Sequence, residues 1–336
     1  MRALLLHDPR DPRPSIESVG ADRLPDGDVT LDVSHSSLNY KDGLAVTGRG
    51  KIVRGAFPFV PGIDLAGTVA ESASGAWAPG DAVILTGWGT GEDRWGGFAE
   101  RARASAAHLV RLPGGMTPED AMFVGTAGLT AMLSVLALED AGVAPNGRPV
   151  VVTGASGGVG SVSVALLAHA GYTVAAATGS PTAHAYLREL GASEIVERAE
   201  LEAETPPLAR ARWAGAVDSV GGSTLAHVLA ETDRHGCVAA CGLAASHALS
   251  TTVFPFILRG VRLQGIDSNT APVPLRERAW ARLAAALADG VLAPVERTVI
   301  GLGDVPAWAA RIVDGDTTGR VVVDVRRAPA RAMPRA

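Results

Sequence analysis

The stretch Val150-Val-Val-Thr-Gly-Ala-Ser-Gly-Gly-Val-Gly160 decides the fold. An apolar strand runs into a glycine-rich turn, and a helix opens directly behind it as Ser161-Val-Ser-Val-Ala-Leu-Leu-Ala-His-Ala170, closed by Gly171. A second apolar strand, Tyr172-Thr-Val-Ala-Ala-Ala177, follows. This strand–turn–helix–strand order, over roughly 30 residues, is the context that a dinucleotide fingerprint requires. Gly154, Gly157, Gly158 and Gly160, with Ser156 and Val159 among them, let the backbone turn sharply and approach a pyrophosphate. The free N–H groups and the dipole of the new helix then face the anion. The competing reading is an ordinary tight turn in an α/β sheet.

The end of the second strand bears on which dinucleotide is held. An NAD site usually carries Asp or Glu there, to hold the ribose 2′-hydroxyl. Here the strand ends Ala177-Thr-Gly-Ser180, without an acid. A 2′-phosphate would meet the hydroxyls of Thr178 and Ser180, with Arg198 and Arg188 as counter-charges, so NADPH is favoured. The alternative is that Thr178 and Ser180 cap the next helix.

The 336 residues suit two domains, and 47% hydrophobic with 19% charged residues fits a well-packed globular chain. A net charge of −5 argues against a nucleic-acid partner, which would select a basic surface. No run is read as a membrane span, and the apolar run at the N-terminus is too short for a signal peptide. Two cysteines cannot build a disulfide framework, which points to a cytoplasmic location. Cys237 and Cys241 lie in an apolar strand ending at Gly242 and read as buried core rather than a metal or redox pair. The tail from Arg326, rich in Arg, Pro and Ala, reads as a solvated end.

The first 120 or so residues hold short alternating strands broken by Gly and Pro: Met1–Leu6, Asp28–His35, Leu65–Glu71, Asp81–Thr86 and Gly97–Ala104. This spacing predicts an antiparallel, barrel-like domain. From Thr117 the pattern changes to alternating strands and helices, with strands at 150–153, 173–177, 194–196, 215–220, 237–241 and 264–266. That alternation predicts α/β architecture with a doubly wound parallel sheet. A helix over 275–288 and a strand over 319–325 return the chain to the first domain. The predicted divisions are 1–123, 124–268 and 269–336.

Ser36-Ser-Leu-Asn-Tyr-Lys-Asp-Gly43 is the densest cluster of proton-transfer groups in the first domain. Tyr40 can donate a proton, while Lys41 and Asp42 can orient it or carry charge. The alternative is a turn in which Asn39 and Asp42 cap a helix. Tetrahedral zinc needs clustered Cys and His. His35 and His108 are isolated and no cysteine precedes residue 237, so no metal is expected.

The sequence resembles the medium-chain dehydrogenase/reductase superfamily in its zinc-free branch. Asn39-Tyr40 stands where zinc alcohol dehydrogenases carry Cys-His, and Gly62-Ile63-Asp64 where they carry Gly-His-Glu. It is most similar to the acrylyl-CoA reductase and quinone-oxidoreductase-like group. The matching stretches are Ser37–Ala45, Phe59–Gly67, Leu85–Gly89 with Trp95–Gly97, Ala155–Gly160, Val217–Gly222, Pro255–Gly260 and Gly265–Ser268. One departure is Ser180, with Pro181 behind it, where relatives often carry a basic residue.

The resemblance implies a Rossmann domain joined to a GroES-like catalytic domain. It also implies NADPH-dependent conjugate reduction of an α,β-unsaturated thioester, with hydride delivered to the β-carbon and a proton to the α-carbon. Tyr40 would be donor or orienter, with Asn39, Lys41 and Asp42 in support. Thr130, Val220, Gly242, Leu243, Asp267 and Ser268 would line the cofactor. Arg49, Lys51, Arg54 and Arg259 are candidates for the phosphates of a coenzyme A ester, with Arg262 close by. A homodimer joined through the strand near 261–266 is expected. The alternatives are a quinone or small-enone reductase, a reductase of carrier-bound enoyl intermediates, and a catalytically silent NADPH-binding protein.

Overall fold

The computed structural model describes residues 1–145 and 147–327, so most of the basic tail lies outside the described residues. The chain divides into two units: Met1–Thr126 with the chain from Arg297 onward, and Ala127–Glu296. The return to the first unit therefore comes later than the predicted 269. Helix Val273–Ala288 stays with the second unit and buries Arg276, Ala279, Trp280, Leu283 and Ala286 at helical spacing.

The second unit is built on a six-stranded sheet in the order Glu194–Glu197, Val174–Thr178, Val150–Thr153, Trp213–Asp218, Thr232–Ala240, Arg262–Gly265. Every pairing is parallel. Val150–Thr153 is central and buried throughout, which is why it reads as a continuous apolar run. Helix Gly158–His169 follows it. Their close packing depends on Gly160, where a Cβ would lie 2.3 Å from the Gly154 carbonyl oxygen and 2.6 Å from Ala155 Cα.

The first unit carries a seven-stranded sheet. Arg297–Gly301, Arg320–Asp324, Val29–Leu38, Asp64–Ser72, Ala82–Thr86 and Val110–Arg111 run side by side, and Arg101–Ala104 also pairs with Val29–Leu38. Register shifts between Thr30 and Leu31, and between Val33 and His35, bend that long strand. The antiparallel expectation needs one correction. Arg297–Gly301 pairs parallel with Arg320–Asp324, because helix Val305–Asp314 crosses over between them. Leu4, Leu31, Val33, Leu65, Val83 and Phe98 form the centre of the core.

Helix Pro118–Asp140 is long and apolar enough to cross a membrane, a feature missed in the sequence, but 89% of its most apolar window is buried within the fold. It is two helices meeting at Gly125, whose φ of 50° and ψ of −159° suit glycine alone.

The proton-transfer segment forms helix Tyr40–Thr47, capped by Gly48 in the left-handed conformation. It packs on helix Val305–Asp314 at Gly43, where a Cβ would lie 2.9 Å from Val313 Cγ2 and 3.1 Å from the Ala309 oxygen. Gly43→Ala should therefore lower unfolding stability by about 1–3 kcal/mol. A urea unfolding midpoint equal to the parent's would refute this close approach.

Candidate active site

The first turn of helix Tyr40–Thr47 divides its side chains sharply. Asn39 and Asp42 are buried, whereas Tyr40 is 43% exposed. Asp42 reaches back as a capping acid, its Oδ2 accepting the Asn39 N–H at 2.9 Å. Its Oδ1 accepts the Ile63 N–H at 2.9 Å. The Asn39 amide nitrogen faces Ser37 Oγ at 3.1 Å, Asp42 Oδ2 at 3.2 Å and Asp64 Oδ2 at 2.9 Å. Its Oδ1 accepts from Arg320 Nη1 at 3.1 Å. Asn39 and Asp42 are thus held inward, and Tyr40 is the member of this group turned to the surface.

Asp64 is the hub. Its carboxylate accepts the Ser37 hydroxyl, the Asn39 amide, the Thr126 N–H at 2.8 Å and the Thr126 hydroxyl. Arg320, 3% exposed, donates from Nε to the Phe123 carbonyl at 2.9 Å. A Cβ at Gly125 would fall 2.7 Å from Asp64 Oδ2 and 2.8 Å from both Arg320 Nη2 and Ser37 Oγ, so only glycine fits. Burial and the neighbouring Asp64 carboxylate push Asp42 up to about 7, against the pull of its three N–H donors. Burial lowers the Arg320 pKa, and the two carboxylates oppose that shift. Asp64 figured in the sequence only as a departure from a zinc-ligand motif, and Arg320 did not figure at all. The available signal was a lone acid inside the apolar stretch Phe59–Gly67.

Lys41 is not free either. Its ammonium sits 3.0 Å from Glu92 Oε1, and Arg54 Nη1 sits 3.0 Å from Oε2 of the same carboxylate. The Glu92 side chain is 7% exposed, so it fixes both cations from beneath. Of the proposed phosphate residues, Arg49 pairs with Asp314, Arg54 is held by Glu92 and Asp93, and Lys51 is exposed. The Arg259 guanidinium is engaged by the carbonyls of Ala209, Ala230 and Thr232, which removes it from that role.

In the second unit, most of the expected cofactor residues follow the carboxyl ends of the parallel strands, where open α/β sheets bind nucleotides. Gly154 takes φ 59°, and a Cβ there would meet Ser219 Oγ at 2.6 Å. Gly157 caps the following helix, and Ser156 sits 3.5 Å from Thr178 Oγ1. Gly158, Val159 and Gly160 form the first turn, whose N–H groups have no intrahelical acceptor. The cradle is braced by buried Asp218, which accepts the Thr153 hydroxyl at 2.7 Å and the Gly221 N–H at 2.8 Å. Burial raises the Asp218 pKa, and these donors oppose it. These features fit a dinucleotide pyrophosphate.

Of the remaining expected residues, Thr178 is buried and accepts the Ser180 N–H, while Arg198 opens a short helix after the neighbouring strand. A Cβ at Gly242 would lie 2.3 Å from the Ser219 oxygen. Val220 is half-buried, Leu243 is 63% exposed, and Ser268 presents its carbonyl to Arg276. Asp267 closes a turn by accepting from the N–H groups of Asn269 and Thr270. Thr130 is buried, and its carbonyl accepts the Ser134 hydroxyl. Both cysteines are free; burial, helped by Asp218, pushes Cys241 up to about 12. Among the described residues no three His, Cys, Asp or Glu side chains gather as metal ligands.

A nucleotide cradle on a parallel sheet, together with an outward tyrosine on a braced helix in a largely antiparallel unit, defines a nicotinamide-dependent oxidoreductase of the two-domain kind. The alcohol dehydrogenase GroES-like domain family matches residues 25–114, and the zinc-binding dehydrogenase family matches residues 158–287. The probable acrylyl-CoA reductase AcuI of Escherichia coli is 52% identical over 93% of this chain and 95% of its own length. The putative quinone oxidoreductase YhfP of Bacillus subtilis is 41% identical over 92% and 93%. The crystal structure of the yhdH oxidoreductase from Salmonella enterica with NADP is 52% identical, covers 97% of this chain and 100% of that one, and has a TM-score of 0.94. That of B. subtilis yhfP with NAD bound is 40% identical, covers 96% and 99%, and has a TM-score of 0.92. The chain belongs to the medium-chain dehydrogenase/reductase superfamily.

The buried acids make a pH prediction. Folding moves Asp42 from its ordinary value near 3.8 up to about 7, so the folded chain holds more proton than the unfolded chain between those values. Its contribution to stability is complete below about pH 4 and is lost as pH rises through 7. Asp42→Asn should flatten the stability curve in that window by about 1 kcal/mol per pH unit. Urea unfolding across the window tests this, and parallel curves for parent and variant would refute it.

Proposed function

We propose that this chain reduces the C=C bond of a short α,β-unsaturated acyl thioester, acrylyl-CoA-like, with NADPH. The observation that carries the reading is its 52% identity, over nearly the whole of both chains, to a probable acrylyl-CoA reductase. NADPH, when bound, supplies the hydride for the β-carbon. The protein's part is to stabilise charge developing on the thioester oxygen and to direct a proton to the α-carbon.

Tyr40 suits that part. The residue is exposed, and the helical turn that carries it is held by inward-turned Asn39 and Asp42. Beside it, Lys41 is a cation fixed by Glu92. Asn39 and Asp42 are positioning residues in this reading, because their polar atoms are already engaged inside. Lys51, with Arg54 on its carboxylate anchor, supplies cations for the phosphates of coenzyme A. Arg198 is the counter-charge for the 2′-phosphate of NADPH. The relationship to YhfP favours quinone reduction as a second reading.

The assay is NADPH oxidation with acrylyl-CoA, crotonyl-CoA and a quinone in parallel. Turnover of acrylyl-CoA well above the others is expected; turnover of the quinone alone would transfer the chain to the second reading. Tyr40→Phe should lower kcat about 10²-fold. An unchanged kcat would show that another group delivers the proton.

We also infer a homodimer. Strand Arg262–Gly265 is the outer edge of the parallel sheet, and Leu263, Val253, Phe254, Ile257 and Leu258 are exposed around it. Antiparallel pairing with a second copy would satisfy that edge and cover the apolar side chains. Light scattering should give twice the 34.3 kDa chain mass, and Ile257→Glu with Leu263→Lys should shift it to the monomer. A parent peak at 34.3 kDa would overturn the assignment.

A further inference from the structure

Gly179 lies between buried Thr178 and half-buried Ser180, just past the end of strand Val174–Thr178. Its φ is outside the left-handed region, so the backbone makes no demand for glycine there. Space does. A Cβ at 179 would lie 2.7 Å from both Cζ and Nε of Arg198, and 3.0 Å from Nη2. The pairing of Glu197 with Thr178 across neighbouring parallel strands brings Arg198 alongside. The guanidinium rests directly on the bare α-carbon. It is exposed, and it makes no hydrogen bond or ion pair with another described residue. Glu197, the adjacent acid, faces His184 at 3.5 Å instead. Ser180 Oγ and Thr182 Oγ1, 2.9 Å apart, add hydroxyls next to Gly179.

We propose that Gly179 is a specificity-determining residue: its missing side chain seats the Arg198 guanidinium where the phosphomonoester on the adenine ribose falls, so discrimination between NADPH and NADH depends on position 179 as much as on 198. This rests on the reading of Arg198 given under the proposed function. A guanidinium donates in a planar fork that matches phosphate oxygens, and its value depends on where that fork is held. A methyl group at 179 would displace it. Because the group displaced is the far end of a flexible side chain, the fold accommodates the change while the phosphate loses its partner.

The test is a set of binding titrations following nucleotide fluorescence, with NADPH and NADH as ligands and adenosine 2′,5′-bisphosphate against 5′-AMP as competitors. Gly179→Ala should weaken NADPH about tenfold, as for loss of one charged hydrogen bond, and leave NADH within about twofold. The preference for the bisphosphate should fall in parallel, with an unchanged melting temperature. In an Arg198→Ala background the same substitution should add nothing, because the group it displaces is gone. Equal weakening of NADPH and NADH, or full additivity with Arg198→Ala, would overturn the role of Gly179. If Arg198→Ala itself left the NADPH-to-NADH ratio unchanged, the underlying assignment of Arg198 would fail, and this inference with it.

Discussion

The start of helix Tyr40–Thr47 depends on one buried carboxylate. Asp64 accepts hydrogen bonds from Ser37, Asn39 and both donors of Thr126, and is fully shielded from water. An ion in that position costs several kcal/mol unless its lone pairs are met, and here they are. Burial and the Asp64 carboxylate together then raise the next acid, Asp42. Asp42 shares the cluster, Arg320 supplies a single cation for two carboxylates, and the proton is taken up at Asp42. The same contacts fix geometry. The Asn39 carbonyl must face the arginine, so its NH2 must face the acids, and the helix beginning at Tyr40 starts from a defined point.

This arrangement separates support from chemistry. The medium-chain dehydrogenase/reductase scaffold is compatible with a catalytic zinc, but an amide at 39 and an isoleucine at 63 do not offer the nitrogen and sulfur ligands that zinc needs. Both positions instead serve the internal network: Asn39 through its amide, and Ile63 through its backbone N–H to Asp42. What faces outward is a phenol and, beside it, an ammonium tethered to Glu92. A cation tethered in this way does not have to reorganise when negative charge appears beside it.

Local signals made the nucleotide unit legible in sequence. The strand over 150–153 and the glycine spacing behind it depend on neighbours a few residues away, and the structure keeps that strand as read. Tyr40, Lys41 and Asp42 were equally visible as a dense polar segment. Their division into an outward phenol and ammonium and an inward carboxylate was not, because the cluster around them is set by partners far along the chain: Asp64, Glu92 and Arg320. The parallel strand Arg297–Gly301 was missed for a related reason. Short, partly exposed and preceded by a turn, it carries little alternation of its own, and its identity comes from pairing with Arg320–Asp324.

The glycines of the nucleotide unit show why one sequence signal can carry different meanings. Gly154 is required by its left-handed backbone. Gly160 and Gly242 are required because a Cβ would run into main-chain oxygen at 2.3 Å, which no side-chain rotation can relieve. The three atoms nearest a Cβ at Gly179 all belong to the Arg198 guanidinium, the far end of a flexible side chain. The first three positions therefore belong to the fold, and substituting them disturbs every function built on the sheet. The fourth belongs to recognition, where a change moves a charge and leaves the framework standing. Cofactor preference can then shift at the outer end of the nucleotide while the pyrophosphate cradle stays fixed.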